Sequence, residues 1–133
     1  MVENTSRLSR AYQLFLAGDP SALAELLAPE CVYHLSGLHL GGGTLKGRGA
    51  ILKRVVSAAA SCDAPPEANL MSISGAENFV ASVERATFRR GGQVLKKRIC
   101  VVWRFRDNQC VEIWSHFEDQ AACDSFWQGW KPN

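Results

Sequence analysis

Three residues that can hold a ligand or move a proton alternate along the segment "CVEIWSHFED": Glu112, Trp114 and His116. A spacing of two places all three on one face if the segment is a β-strand. Histidine exchanges protons near neutrality because its ordinary pKa is about 6.5, and tryptophan can stack on a flat ligand. This face is therefore a candidate for a ligand pocket, for a subunit contact or for the core.

Two more side chains extend the candidate chemistry. His34 is a second residue suited to acid–base work, and Arg85 can hold negative charge that develops on an oxygen. Each has a structural alternative. A buried neutral histidine can hydrogen-bond to a neighbouring strand, and Arg85 can pair with Glu84 or Glu112. A third histidine, His39, is predicted to lie at the surface.

The sequence contains no pattern typical of a site for a metal, a cofactor, nucleic acid or a membrane. The histidines and the five scattered cysteines lack the spacing of metal ligands, and the glycine run at 41–43 fits neither the dinucleotide nor the P-loop motif. A net charge of +2 argues against nucleic-acid binding, and no apolar run reaches the roughly 18 to 20 residues of a membrane span. With an odd number of cysteines and no secretion signal at the start, we predict free thiols and a cytoplasmic location.

The first half of the chain has helical periodicity. Apolar residues at helical spacing predict a helix over 6–17, and Asp19-Pro20 begins a short second helix. A strand over 31–35 and a glycine-rich loop follow, and then a third helix over 48–60.

The second half has the period of β-strands. Its runs are separated by Gly-Gly at 91–92 and by Asp-Asn at 107–108, which are suited to hairpin turns. Asp119 is placed to cap one last short helix. Segregated helices and an antiparallel meander predict an α+β fold, with residues 1–133 as a single domain.

The inward face of the strands is only partly specified by pattern. In the strand over 94–106 the odd positions, Ile99 to Phe105, are all apolar and are predicted to face inward. In the strand over 78–90 the odd and even positions are equally mixed in polarity, so the pattern does not indicate which face points inward. In the last strand Val111, Ile113 and Phe117 look more like core, which would turn Trp114 and His116 outward toward a possible dimer contact.

Three stretches give the chain a family resemblance. They are "AYQLFLAGDPSALAELLAPECVYH", "GTLKGRGAILKRV" and "VVWRFRDNQCVEIWSHFEDQAACDSFW". In this order they resemble the nuclear-transport-factor-2-like superfamily, in particular its SnoaL-like branch. The resemblance implies a cone in which three N-terminal helices pack on a strongly curved, mostly antiparallel sheet and enclose an apolar pocket. It also implies a homodimer formed through the outer face of the sheet.

Two enzymes of this superfamily give positions to compare. At the positions of the ketosteroid isomerase aspartates and tyrosine, this chain has His34, Val101 and Ala11, with Tyr12 one residue away. That machinery is therefore absent. The second enzyme, limonene epoxide hydrolase, uses an arginine and an aspartate two residues apart on the third long strand, and a second aspartate on the last strand.

At the epoxide hydrolase positions this chain has Arg85, Thr87 and His116. The water-activating carboxylates are missing, so epoxide hydration is the weaker alternative. The superfamily register nevertheless implies that these side chains point into the cone, together with His34 and Trp114.

The resemblance thus favours a small-molecule enzyme that performs cofactor-free cyclisation, isomerisation or lyase-like chemistry on an apolar substrate. His34 and His116 would move the proton and Arg85 would steady negative charge. The predicted substrate-binding residues are Tyr12, Thr87, Val101, Trp103 and Trp114. The alternative is a non-catalytic carrier of an apolar metabolite, since one fold supports many functions. No metal, nucleic acid or membrane partner is expected.

Overall fold

The computed structural model describes residues 2–36 and 43–130. Within these ranges the chain forms four helices and six strands. In chain order they are α1 (Val2–Leu16), α2 (Ser21–Leu26), β1 (Leu27–Leu35), β2 (Gly43–Lys46), α3 (Arg48–Ala60), β3 (Glu67–Ala76), β4 (Phe79–Arg90), β5 (Gln93–Arg106), β6 (Gln109–Phe117) and α4 (Gln120–Phe126). None of the helices in these ranges has the length and apolar character needed to cross a bilayer.

The six strands form one curved, open sheet in the order β2-β1-β6-β5-β4-β3. Only β1 and β6 run parallel; the other neighbours in this sheet are antiparallel. Helix α1 packs near β3, α3 near β1 and α4 near β5. The predicted α+β class, with helices packed on a mostly antiparallel curved sheet, is confirmed.

Strand β5 shows which face of the sheet is covered. Val101, Trp103 and Phe105 are buried, while their neighbours Cys100 and Arg106 are exposed. The odd positions of β5 therefore face the helices, as their apolar pattern predicts. This face is the concave, inner face of the sheet, and the other is its outer face.

The helices differ from prediction mainly at their starts. Helix α3 spans Arg48–Ala60 as predicted, but α1 begins at Val2 and not at residue 6. Thr5 lies inside α1, where its methyl group packs on β3 so closely that a Cβ at Gly75 would come within 2.9 Å of it. Tertiary packing thus extends the helix beyond its apparent capping residues.

Strand β1 begins at Leu27, four residues before the predicted start, and includes Pro29. The proline is tolerated because the pairing of β1 with β6 is irregular between Leu27 and Val32, so its missing N–H breaks no regular ladder. Part of the predicted loop is strand β2, which pairs antiparallel with β1. His39 lies outside the described residues.

Helix α4 closes one end of the sheet. Its predicted cap is confirmed: the Asp119 carboxylate accepts a hydrogen bond from the Ala122 backbone N–H at 3.0 Å. Phe126, Trp127 and Trp130 then form a second buried cluster beside the main core. The capped helix thereby holds an aromatic wall against the inner face of β5.

Candidate functional site

A cavity of about 670 Å³ lies between the inner face of the sheet and helices α1 and α3. This is a normal size for a small-molecule site, for which roughly 300 to 1,000 Å³ is typical. Most of the lining is apolar. Exposed lining residues mark its mouth, with Leu16 and Gly18 on one side and Asp63 and Pro65 on the other.

The hairpin between β4 and β5 decides which β4 side chains reach this cavity. Gly91 and Gly92 both have positive φ, as a two-residue hairpin turn requires, and Arg90 pairs directly with Gln93. This register sets even positions of β4 beside odd positions of β5. Glu84 consequently lies opposite Ile99, on the inner face.

Glu84 is the centre of a polar network in the apolar wall. Only 8% of the residue is exposed. Its carboxylate interacts through hydrogen bonding with the hydroxyls of Tyr12 and Ser82. Ser82 in turn accepts a hydrogen bond from the Trp103 indole N–H at 3.1 Å. A strand serine and a helix tyrosine thus hold one carboxyl group at the cavity surface.

Burial controls the proton affinity of this pair. It raises the pKa of Glu84, and hydrogen bonds from Tyr12 and Ser82 and the charge of Lys97 only partly oppose the rise. Burial and the neighbouring Glu84 also raise the pKa of Tyr12. Tyr12 therefore remains a hydrogen-bond donor at neutral pH, while Glu84 is suited to accept and return a proton.

A cation lies beside the network. Lys97 lines the cavity, with its ammonium nitrogen 4.3 Å from the ring centroid of Phe88 and 4.6 Å from that of Phe117. Burial lowers the pKa of Lys97, and the charges of Cys123, Glu84 and Cys62 act in the opposite direction. The cavity thus holds an amine that loses its proton more easily than a surface lysine does.

Helix α3 and strand β1 supply two more polar groups. Burial raises the pKa of Tyr33 to about 12 and lowers the pKa of Arg54, which lies near enough to influence Tyr33. The Arg54 guanidinium lies 4.6 Å from the Trp130 ring centroid. Both residues line the cavity, so its wall combines hydrogen-bond donors and positive charge with aromatic surface.

The structure places three of the predicted site residues in this cavity. Tyr12, Val101 and Trp103 line it, from α1 and from the inner face of β5. Of these, Tyr12 contributes a polar group next to Glu84, and Val101 and Trp103 form apolar wall.

The other predicted site residues do not reach the cavity, and their inward orientation was wrong. His34, Trp114 and His116 alternate with cavity-lining residues of β1 and β6 and lie on the outer face of the sheet. Arg85 and Thr87 likewise alternate with the inward residues of β4. His116 and Arg85 are exposed.

The error in β6 came from the superfamily register, since the apolar pattern had favoured the observed orientation; a β-bulge sets that orientation. Next to the turn, Phe105 pairs with Cys110, but Arg104 pairs with Glu112, so Val111 is an extra residue on β6. Cys110 and Val111 are accordingly buried one after the other. Beyond the bulge, Ile113 faces inward, because a one-residue shift exchanges the faces of a strand.

The outward residues form their own contacts. The ring nitrogen Nε2 of His34 lies 2.7 Å from Glu112, and an Arg104 nitrogen lies 2.9 Å from the same carboxylate. The His34 ring stacks on Trp114 with centroids 5.5 Å apart. His34 and then Arg104 lower the pKa of Glu112. Arg85 lies opposite Arg98 in the ladder, on the face of β4 away from Glu84.

Sequence reasoning missed Glu84 and Lys97 as site residues. The signal was available for Glu84: a two-residue Gly-Gly turn fixes the register, and the inward odd positions of β5 then turn Glu84 inward too. Lys97 is also at an odd, inward position of β5. It was missed because it stands between Lys96 and Arg98, and consecutive basic residues usually lie in solvent. Among the described residues no group of three metal-binding side chains comes together.

We expect the free energy of unfolding to decline as pH rises above the ordinary glutamate pKa of 4.5, and Glu84→Gln to reduce this decline. With a raised pKa, folded Glu84 keeps a proton that the unfolded chain has already released. Stability therefore falls with rising pH between the unfolded and the folded pKa. Urea unfolding of both proteins between about pH 4 and 8 measures the difference.

Glu112→Gln is the matched control, and its effect has the opposite sign. The pKa of Glu112 is lowered in the folded protein, so its contribution is present above the unfolded pKa and is lost as pH falls through the folded one. If the stabilities of wild type and Glu84→Gln differ by the same amount at every pH, burial does not perturb Glu84.

Comparison with known proteins gives one family and several structures. A family model described as the SnoaL-like domain matches residues 8–113. Bal32a, from a soil-derived mobile gene cassette, is 28% identical over 94% of this chain and 96% of its own, with a TM-score of 0.89. No curated protein matches the chain significantly.

Two more distant structures show the same fold. IdmH from Streptomyces antibioticus, a proposed polyketide cyclase, is 23% identical over 86% of this chain and 91% of its own, with a TM-score of 0.72. TerC, crystallised with polyporic acid, is 14% identical over 92% of this chain and 95% of its own, with a TM-score of 0.79.

Proposed function

Because this chain belongs to the SnoaL-like domain family and its fold encloses an apolar cavity, we propose that it is a small-molecule enzyme that moves a proton on an apolar substrate without a cofactor. Cyclisation, isomerisation and elimination can all begin with removal of a proton next to a carbonyl group. The proposed acid–base pair is Glu84 and Tyr12, in place of the outward histidines.

The burial of Glu84 in an apolar cavity carries this proposal. An ionisable carboxyl group in such a wall costs stability, and a core hydrophobe would avoid that cost. Groups with pKa values shifted by burial and by a specific partner, located in a cleft, are typical of functional sites. Glu84 meets each condition, through its 8% exposure, its raised pKa and its contact with Tyr12.

The two residues have different roles in the proposed step. The Glu84 carboxylate accepts a proton from substrate carbon and later returns it to another atom. The Tyr12 hydroxyl stays protonated because its pKa is raised, so when substrate binds it can redirect its hydrogen bond from Glu84 to the substrate oxygen on which negative charge develops. The hydrogen bond from Ser82 keeps the carboxylate directed at the cavity.

The walls favour a flat, largely apolar substrate. Trp103 and Trp127 line the cavity together with aliphatic residues from α1 and α3. Aromatic rings of this kind stack on planar ligands. On the same fold, TerC was crystallised with polyporic acid.

Hydrogen–deuterium exchange into an apolar ketone tests the proposal without knowledge of the natural substrate. The probe is 2-tetralone in heavy water, with deuterium at its α-carbons followed by NMR. The wild-type protein is expected to accelerate the exchange above the buffer rate, and Tyr12→Phe to reduce this acceleration. An exchange rate equal to that of buffer, with binding shown by tryptophan fluorescence, would favour the alternative of a carrier.

We also propose a homodimer formed through the outer face of the sheet. Its centre carries the partly buried apolar residues Val83, Val102 and Trp114, and Phe79 is 47% exposed at one side. An apolar sheet face of this kind is usually covered by a partner. The five free cysteines support the cytoplasm as the proposed location.

Val102→Asp is expected to weaken this dimer by about 10²-fold or more, because an unpaired carboxylate at the centre of an interface costs several kcal/mol. Light scattering after size-exclusion chromatography measures the mass. Val56→Asp, an exposed site on the helical side, is the control and should leave the dimer intact. A monomeric wild-type protein would contradict the proposal.

A further inference from the structure

Lys97 carries the single primary amine on the cavity wall, within the part of the chain that the structure describes. Its nitrogen lies at two aromatic rings, 4.3 Å from the centroid of Phe88 and 4.6 Å from that of Phe117. Both rings also line the cavity. The amine is thus held at an apolar surface to which a ligand has access.

The acid–base pair lies next to this amine. Lys97 is directly opposite Ala86 in the ladder, and Glu84 is the next residue of β4 on the same face. Such diagonal neighbours are about 7 to 8 Å apart, within reach of long side chains. The small Ala86 side chain leaves room for the lysine stem. An amine, a carboxyl group and the Tyr12 hydroxyl therefore share one cavity.

We propose that Lys97 forms an imine with the aldehyde or ketone carbon of a ligand in this cavity. The inference rests on the proposed function and names its substrate class. The nitrogen lone pair adds to the carbonyl carbon as the carbon–oxygen π bond breaks. The nitrogen then releases its protons and the oxygen leaves as water after protonation by Glu84. Amine and carbonyl thus give imine and water, without an oxidant or reductant.

Burial makes Lys97 easier to deprotonate than a surface lysine. Burial lowers its pKa, while Glu84 on β4, Cys123 on α4 and Cys62 after α3 act against this through their charges. A desolvated lysine in an apolar pocket is a stronger nucleophile at neutral pH than a surface lysine, because more of it is unprotonated. The apolar walls also protect an imine from hydrolysis.

Imine formation would explain why an amine and a carboxyl group share the cavity. A protonated imine withdraws electrons more strongly than the parent carbonyl, so the hydrogens on the adjacent carbon become more acidic. Glu84 could then remove one of them. The substrate class is accordingly an aldehyde or ketone that carries an α-hydrogen and an apolar ring system.

Reductive trapping tests the inference. The protein is incubated with one equivalent of 2-naphthaldehyde and sodium cyanoborohydride, and the labelled site is identified by peptide mass mapping. The expected adduct adds the mass of the aldehyde less its oxygen. Lys97 should carry most of the label, ahead of the exposed Lys96, because burial lowers its pKa and the aldehyde binds beside it in the cavity.

Lys97→Arg should lose the selective label, and Lys96→Arg should keep it. Labelling spread evenly over the lysines of the wild-type protein would overturn the inference, whatever the variants do. Binding of 2-naphthalenemethanol, followed by tryptophan fluorescence, separates the two proposals. Binding of this alcohol and Glu84-dependent exchange without trapping would refute the imine alone, while absence of binding and exchange would refute the proposed function.

Discussion

Glu84→Gln is expected to reduce the rate of deuterium exchange into bound 2-tetralone by about 10² to 10⁴-fold, the usual contribution of a general acid–base residue. The amide has nearly the shape of the carboxyl group and still accepts a hydrogen bond from Tyr12, but it cannot take a proton from carbon. Binding of the ketone should therefore persist. NMR measures the exchange, and tryptophan fluorescence measures the binding.

Glu112→Gln makes the same chemical change on the outer face of the sheet. Glu112 contacts His34 and Arg104 there and does not line the cavity. The deuterium exchange rate of the Glu112→Gln protein should match that of the wild-type protein. Equal losses in both variants would point to a general effect of removing a carboxylate, and an unchanged rate in Glu84→Gln would remove this residue from the proposed mechanism.

Leu27→Ala is expected to lower the free energy of unfolding by about 2 to 5 kcal/mol, the range for truncating a fully buried leucine. Leu27 has no exposed surface, and it lies where α2 ends and β1 begins. Truncation removes packing between the helices and the sheet, and the cavity limits how far the neighbours can close the gap. Urea unfolding measures the loss.

Leu16→Ala is the comparison for this core substitution. Leu16 also lines the cavity, but it lies at the mouth and is 38% exposed, so less apolar surface returns to water on unfolding. Its loss should stay below about 1.5 kcal/mol. If both variants lose the same stability, burial at the helix-to-sheet junction does not control the energetics of this region.

Most of the fold was accessible from the sequence because its periodicities are clear. The third helix was predicted over its observed span, Arg48–Ala60, since its apolar residues recur at helical spacing. The long hairpin strands followed from alternation and from the turn residues between them. Boundaries set by tertiary contacts, such as the start of α1 at Val2, were not encoded in any local signal.

The site was harder to predict than the fold because it depends on the parity of each strand. Apolar patterning correctly favoured Ile113 and Phe117 as inward residues, and the superfamily register led to the opposite orientation for Trp114 and His116. Counting from the turn at 107–108 would also have failed, because of the extra residue in β6. Nothing in the segment 109–113 signals a bulge except two apolar residues in succession.

The bulge at Val111 also has an evolutionary consequence. Loss of one codon there would restore unbroken pairing between β5 and β6 and would rotate the rest of β6 by half a turn. His116 and Trp114 would then enter the cavity, and Ile113 and Phe117 would leave it. A single insertion or deletion would thereby exchange the outer face of this strand for its cavity face. In alignments of relatives, the placement of one gap at this position decides which β6 columns describe the cavity.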